Sequence, residues 1–137
     1  PLPEGCFALG DVEEQTAAWQ RDKSMDLTSN WLLAGKELNA IFANNDEMAL
    51  GAIAALKAAQ QWTPDLIVGG IDATPDALQS MRDGDLKVTV FQNADAQGGR
   101  AVETALRLIR KQTVQRFVDV PFELVTPASL PKYQAKN

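Results

Sequence analysis

Asn44, Asn45, Asp46 and Glu47 stand together where an apolar run ends and an alanine-rich segment begins, in "IFANNDEMALG". Two amides and two carboxylates at one junction can cap a helix, or they can hold a ligand through hydrogen bonds. Similar groups follow other apolar runs. Asp72 comes after "LIVGGI", Gln92 and Asn93 after "LKVTVF", and Trp19 and Arg21 lie beyond the short run "CFALG". Amides both donate and accept, a carboxylate accepts at two oxygens, and an indole offers a flat apolar face. The set suits a polyhydroxylated ring, whose hydroxyls pair with Asn, Asp and Gln while its C–H face stacks on Trp19.

Each residue also has a plainer reading. Asn44 with Glu47 three positions on fits a capping box, and Asp46 and Glu47 both favour the positive end of a helix dipole. Asp72 is the spare acid of its turn, because Thr74 in "DATPDAL" already supplies a cap. Arg21 and Asp22 can simply open a helix. Trp31 and Trp62 read as core or rim packing. "VGGID" lacks the glycine spacing of a phosphate loop and ends in an acid that repels phosphate.

The elements that must position these groups alternate along the chain. "CFALG" (6–10), "NAIFA" (39–43), "LIVGGI" (66–71) and "LKVTVF" (86–91) read as strands, the last alternating Lys87 and Thr89 against Val88 and Val90. "SMDLTSNWLLAGKEL" reads as a helix with Met25, Thr28 and Leu32 near helical spacing and Gly35 as its stop. "DEMALGAIAALKAAQ" (46–60) is rich in helix formers. In "TPDALQSMRDG" Thr74 caps, Pro75 takes the first helical position and Gly84 terminates. "DAQGGRAVETALRLIRKQ" is a long amphipathic helix with Ala101, Val102, Ala105, Leu106 and Ile109 on one side. "FVDVPFELV" (117–125) is a last extended segment, kept from the middle of a sheet by Pro121. Strand and helix in alternation predict an α/β fold, a parallel sheet flanked by helices within a single domain over 1–137. Ligands of such sheets bind outside the carboxyl ends of the strands, where these polar residues fall.

Composition narrows the function. The 137 residues suffice for one core, and a net charge of −5 argues against nucleic acid or an anionic membrane surface as partner. No His is present, Cys6 is alone, and there is no metal-ligand cluster or nucleophile–base pairing, so neither an enzyme nor a cofactor is expected. No apolar run reaches the ~18 residues of a membrane helix, and no signal peptide is visible. A start at Pro1 suggests a processed product or a fragment.

"IFANNDEMALGAIAALKAA", "IVGGIDATPDALQSMRDGDLKVTVFQNADAQG" and "VDVPFELVTPASL" resemble the ribose-binding-protein-like periplasmic sugar-binding proteins of ABC transporters. "TAAWQRD" and "VFQNADAQG" look closest to uptake proteins for ribose-like sugars or inositol. The resemblance implies one lobe of a type I periplasmic-binding-protein fold, in which two α/β lobes joined by three crossovers close on a sugar. It places Asn45, Asp72 and Gln92 at the family's sugar-binding positions and Trp19 where an aromatic stacks on the ring. On that reading Asn44 caps the helix and Asn45 holds the ligand. Ile71 stands where ribose binders tend to carry phenylalanine, which points away from ribose itself.

The same resemblance implies that this chain is most of a C-terminal lobe, without the N-terminal lobe and an arginine that the family uses on the sugar. The helix from about 95 to 112 would cross to the other lobe, so alone it would expose its apolar stripe. Self-association, exchange of elements between copies, or pairing with the missing half as a second chain is then expected. The implied partners are a sugar or cyclitol (ribose-like, hexose or inositol), the transporter's membrane permease and a chemoreceptor, in the periplasm. The competing function is the effector domain of a lactose-repressor-type regulator, which shares the fold and similar "NDEMALG" blocks.

Overall fold

The computed structural model describes residues 12–133, so the "CFALG" run and Cys6 lie outside the described residues. In chain order the elements are α1 (Arg21–Leu33), β1 (Ala40–Phe42), α2 (Asp46–Ala58), β2 (Ile67–Gly69), α3 (Pro75–Arg82), β3 (Thr89–Phe91), α4 (Ala94–Ile109) and β4 (Glu123–Val125). A 3-10 turn at Leu130–Lys132 follows. None of these helices is long and apolar enough to cross a membrane.

The helix ends obey local chemistry. Thr74 caps α3 through the Ala77 N–H, Pro75 opens it, and Gly84 follows it at φ +85°. Gly35, at φ +74°, ends α1 as its position predicts, because a left-handed residue after the last turn costs glycine no steric clash. In α2, Asp46 and Glu47 occupy the first turn and Lys57 the last, each suited to the nearby end of the helix dipole. The α2 cap departs from expectation. Asn45, not Asn44, is the cap, and its Oδ1 accepts from the Met48 N–H at 2.9 Å. Glu47 makes no capping box but turns to Arg21.

Two parallel strands pair first, with Ala40 opposite Ile67, Ile41 opposite Val68 and Phe42 opposite Gly69. Strand β3 continues the sheet beside β2 through parallel bridges at Gly69–Val88 and Asp72–Phe91. The order is therefore β1-β2-β3-β4, with β4 antiparallel to β3 and two residues beyond Pro121. The regular strands are only three residues long, shorter than the apolar runs suggest.

Packing explains two other differences. The buried stripe of α1 is Ser24, Thr28 and Leu32, while Met25 and Leu33 face out. Close approach of α1 to α2 selects small side chains: a Cβ on Gly51 would stand 2.1 Å from the Arg21 carbonyl oxygen. Ser24 uses its hydroxyl across that contact, donating to the Met48 carbonyl at 2.7 Å. In β3 it is Thr89 that is fully buried, while Val90, and Val88 just before the strand, are half-buried. The core gathers Ile53 and Leu56 of α2, Val68 of β2, Leu78 and Met81 of α3, and Leu86. Helix α4 buries none of its residues, and Val102, Leu106 and Ile109 are exposed, as expected for a stripe that no described residue covers.

Candidate ligand-binding site

All three parallel strands run toward the same edge, and the chain leaves each of them into polar residues. After β1 comes Asn45. Its Oδ1 is taken by the cap, and its Nδ2 donates to the Trp19 carbonyl at 3.2 Å. That bond crosses 26 positions and ties the turn before α1 to the end of β1. Ala18 and Trp19 both sit at positive φ, 49° and 65°, which presents the Trp19 ring to solvent at 63% exposure. A large, exposed indole thus stands at the turn that the Asn45 amide holds.

After β2 comes Asp72, at φ +117°, followed by Ala73 at φ +55°. Two successive non-glycine residues in this region store strain, and strained backbone persists only where its surroundings hold it. Three hydrogen bonds do so here. The Asp72 N–H donates to the Val90 carbonyl at 2.8 Å, the Ala73 N–H to Thr89 Oγ1 at 3.2 Å, and the Thr74 N–H to Asp46 Oδ2 at 2.8 Å. The turn aims the Asp72 carboxyl toward the end of β3, where Gln92 Nε2 donates to its Oδ1 at 3.3 Å. Asp72 is largely solvent-exposed, yet partial desolvation raises its pKa above the ordinary value. The neighbouring Asn93 caps α4 through the Ala96 N–H.

Two residues at this edge do more than open a helix. Asp46 is fully buried, and its Oδ1 accepts from the Thr89 hydroxyl at 2.7 Å while Oδ2 takes the Thr74 N–H. Its own N–H donates to the Ile71 carbonyl at 2.7 Å. One carboxylate thus joins the start of α2, the strained turn before α3 and strand β3. Burial raises its pKa, opposed by the hydrogen bonds from Thr89 and Thr74. Gly70 makes room for it, since a Cβ there would lie 2.4 Å from Asp46 Oδ1. Arg21 is the second. Its Nε and a terminal nitrogen each meet a Glu47 oxygen at 2.8 Å, and that terminal nitrogen also reaches Asp76 Oδ2 at 3.0 Å. The sequence signal for Asp46 was faint but present: once Asn45 caps, the next acid is free to turn inward.

The structure therefore brings Trp19 to Asn45 and Asp72 to Gln92. The Asp46–Ile71 backbone bond sets the two pairs on one edge. Two concavities of about 390 and 560 Å³ lie elsewhere, between α4 and residues 113–122. No cluster of metal-ligating side chains occurs among the described residues.

A parallel sheet with helix N-termini and polar turns at its carboxyl edge is, in this arrangement, a lobe of the type I periplasmic binding fold. Residues 6–113 match the periplasmic binding protein domain, and the chain belongs to that family. It is 52% identical over 132 residues, 96% of its length, to a Rhizobium meliloti protein provisionally named as rhizopine-binding, of which it covers 43%. It is 40% identical over 114 residues to the ribose import binding protein of Escherichia coli K12, covering 83% of this chain and 38% of that one. Among solved structures, an ABC transporter solute-binding protein from Bacillus halodurans with bound myo-inositol superposes with a TM-score of 0.82 at 48% identity. That match covers 88% of this chain and 42% of the other. The chain thus spans about two-fifths of the length of these relatives.

Proposed function

We propose that this chain is the ligand-binding lobe of a periplasmic solute-binding protein that takes a sugar or cyclitol and delivers it to an ABC transporter permease, with no reaction catalysed. The observation that carries the reading is the strained Asp72 turn, which sets a carboxylate beside the Gln92 amide on the edge that also holds Asn45 and the exposed Trp19. Asp72 accepts from two vicinal hydroxyls, Gln92 both donates and accepts, and Trp19 covers a C–H face. The names of the relatives, which bind ribose or myo-inositol, agree with this chemistry. They also favour transport over the repressor reading. A docking role toward a chemoreceptor belongs to the same proposal and rests on the family likeness alone.

Titration calorimetry of the chain against myo-inositol, ribose, galactose, glucose and xylose tests it. Binding of a polyol is expected, and Asp72→Ala should weaken it at least tenfold, because a buried hydroxyl loses a charged partner. Binding that survives Asp72→Ala unchanged would remove the site from this edge.

Among the described residues, α4 also leaves an apolar stripe uncovered. Val102 is 62% and Ile109 76% exposed. We propose that two copies of the chain cover these stripes with each other, as exposed apolar helix faces associate in water. Sedimentation should show concentration-dependent association that Ile109→Asp abolishes. A compact monomer at high concentration would contradict it.

A further inference from the structure

We infer that Arg21 is a positioning residue for the ligand site, holding the Trp19 platform in place without touching ligand itself. The inference rests on the proposed reading of this edge as a polyol site. Helices α1, α2 and α3 all begin here, and each follows a residue of that site: Trp19 precedes α1, Asn45 caps α2, and Asp72 precedes the α3 cap. The first turns of α2 and α3 carry Glu47 and Asp76, two acids drawn to positive helix ends. Arg21, the first residue of α1, meets both. Its planar fork takes the two Glu47 oxygens at 2.8 Å each and Asp76 at 3.0 Å. One guanidinium therefore cross-ties three helix starts.

Trp19 depends on this tie more than its neighbours do. Its turn has two successive residues at positive φ, and its ring is 63% exposed, so packing does little to fix it. The Gln20 N–H closes the turn onto the Ala17 carbonyl at 3.0 Å, and two contacts tie that turn to the neighbouring helices: the Asn45 Nδ2 bond to the Trp19 carbonyl on one side, and the Arg21 fork two residues on. Exposed ion pairs contribute little to global stability. A bidentate arginine paired to fixed carboxylates is nevertheless directional, and a lysine in its place keeps charge but not geometry. A turn held in one place presents the indole to a sugar face with less left to order on binding, which is where affinity is gained.

Arg21→Met, Arg21→Lys and Glu47→Gln in the 137-residue chain test this with two readouts. The first needs no ligand: nitrogen-15 relaxation at the Trp19 backbone and indole. Arg21→Met should lower the Trp19 order parameters from rigid values to below about 0.6 while the Leu56 and Val68 amides stay unchanged. A Trp19 as rigid in Arg21→Met as in the parent overturns the inference, whether or not any polyol binds. The second readout is myo-inositol titration. Arg21→Met should bind about tenfold more weakly with little change in melting temperature, Arg21→Lys should recover part, and Glu47→Gln should match Arg21→Met without adding to it. Because myo-inositol is uncharged, rising salt should weaken binding to the parent and leave Arg21→Met unaffected. Equal affinity in parent and Arg21→Met overturns the role in binding. A loosened Trp19 in a chain that binds no polyol at all refutes the sugar-binding reading while supporting the tie.

Discussion

Asp46→Ala is expected to destabilise the chain by about 3 kcal/mol, with a range of roughly 2–5, since each buried polar group left without its partner costs on the order of 1–3 kcal/mol. The substitution strands two groups: the Thr74 N–H at the cap of α3 and the Thr89 hydroxyl within β3. Relief from burying a carboxylate offsets part of this loss, and pH separates the two effects. Folding raises the Asp46 pKa above its ordinary 3.8, so between those two values the folded chain binds more protons than the unfolded one. Stability then falls as pH rises from the unfolded value through the folded one. Asp72, also raised, adds in the same direction. Asp46→Asn keeps one acceptor and cannot ionise. Urea melts at pH 4 and pH 7 should show the parent losing more stability than Asp46→Asn over that interval. An equal loss in both would assign the pH dependence elsewhere.

Gly51→Ala is the second large effect. The added methyl would lie 2.1 Å from the Arg21 carbonyl oxygen and 3.1 Å from the Met25 nitrogen, both in the backbone of α1. Backbone in a helix does not swing aside as a side chain does, so α1 must move bodily away from α2. Overpacking of this kind costs about 1–3 kcal/mol, sometimes more, whereas alanine gains only about 1 kcal/mol over glycine in helix propensity. With a clash this deep, packing wins, and a net loss of about 2 kcal/mol is expected in urea unfolding. The displacement should also reach the candidate ligand site. Trp19 lies two residues before α1, and Ser24 loses its 2.7 Å bond to the Met48 carbonyl as the helices part. Gly51→Ser should behave like Gly51→Ala. A stabilised Gly51→Ala would mean that α1 is not held against α2 as described.

Much of the fold was legible because its signals are local. Thr74, Pro75 and Gly84 mark α3 without help from the rest of the chain, and the carboxyl edge follows from strand–helix alternation alone. What stayed hidden was decided at a distance. Asn44 and Asn45 are equivalent candidates by spacing; the choice falls to Asn45 because the next residue, Asp46, donates its N–H to Ile71 on another strand. Asp46 has the sequence context of an ordinary first-turn acid, and only Thr89, 43 residues on, and Gly70 make a buried place for it. In α1, Thr28 and Leu32 are buried as expected, but Ser24 takes the place of Met25 because Gly51 in α2 sets a close spacing that favours a small side chain. The candidate site residues were legible as types: amides and an acid after described strands, and an aromatic before α1. The positive φ of Asp72 and Ala73, which aims the acid at Gln92, was not, since Asp and Ala carry no glycine-like mark for it.

The most direct test of the polyol site is a nitrogen-15 NMR titration of the chain with myo-inositol, following every backbone and side-chain amide to saturation. The expected result is a saturable set of shifts at the Trp19 indole, the Asn45 and Gln92 side-chain amides and the Asp72 and Ala73 backbone, absent in Asp72→Ala. Shifts confined to α4 and residues 113–122, or none for myo-inositol or ribose at high millimolar concentration, would contradict a polyol site at this edge.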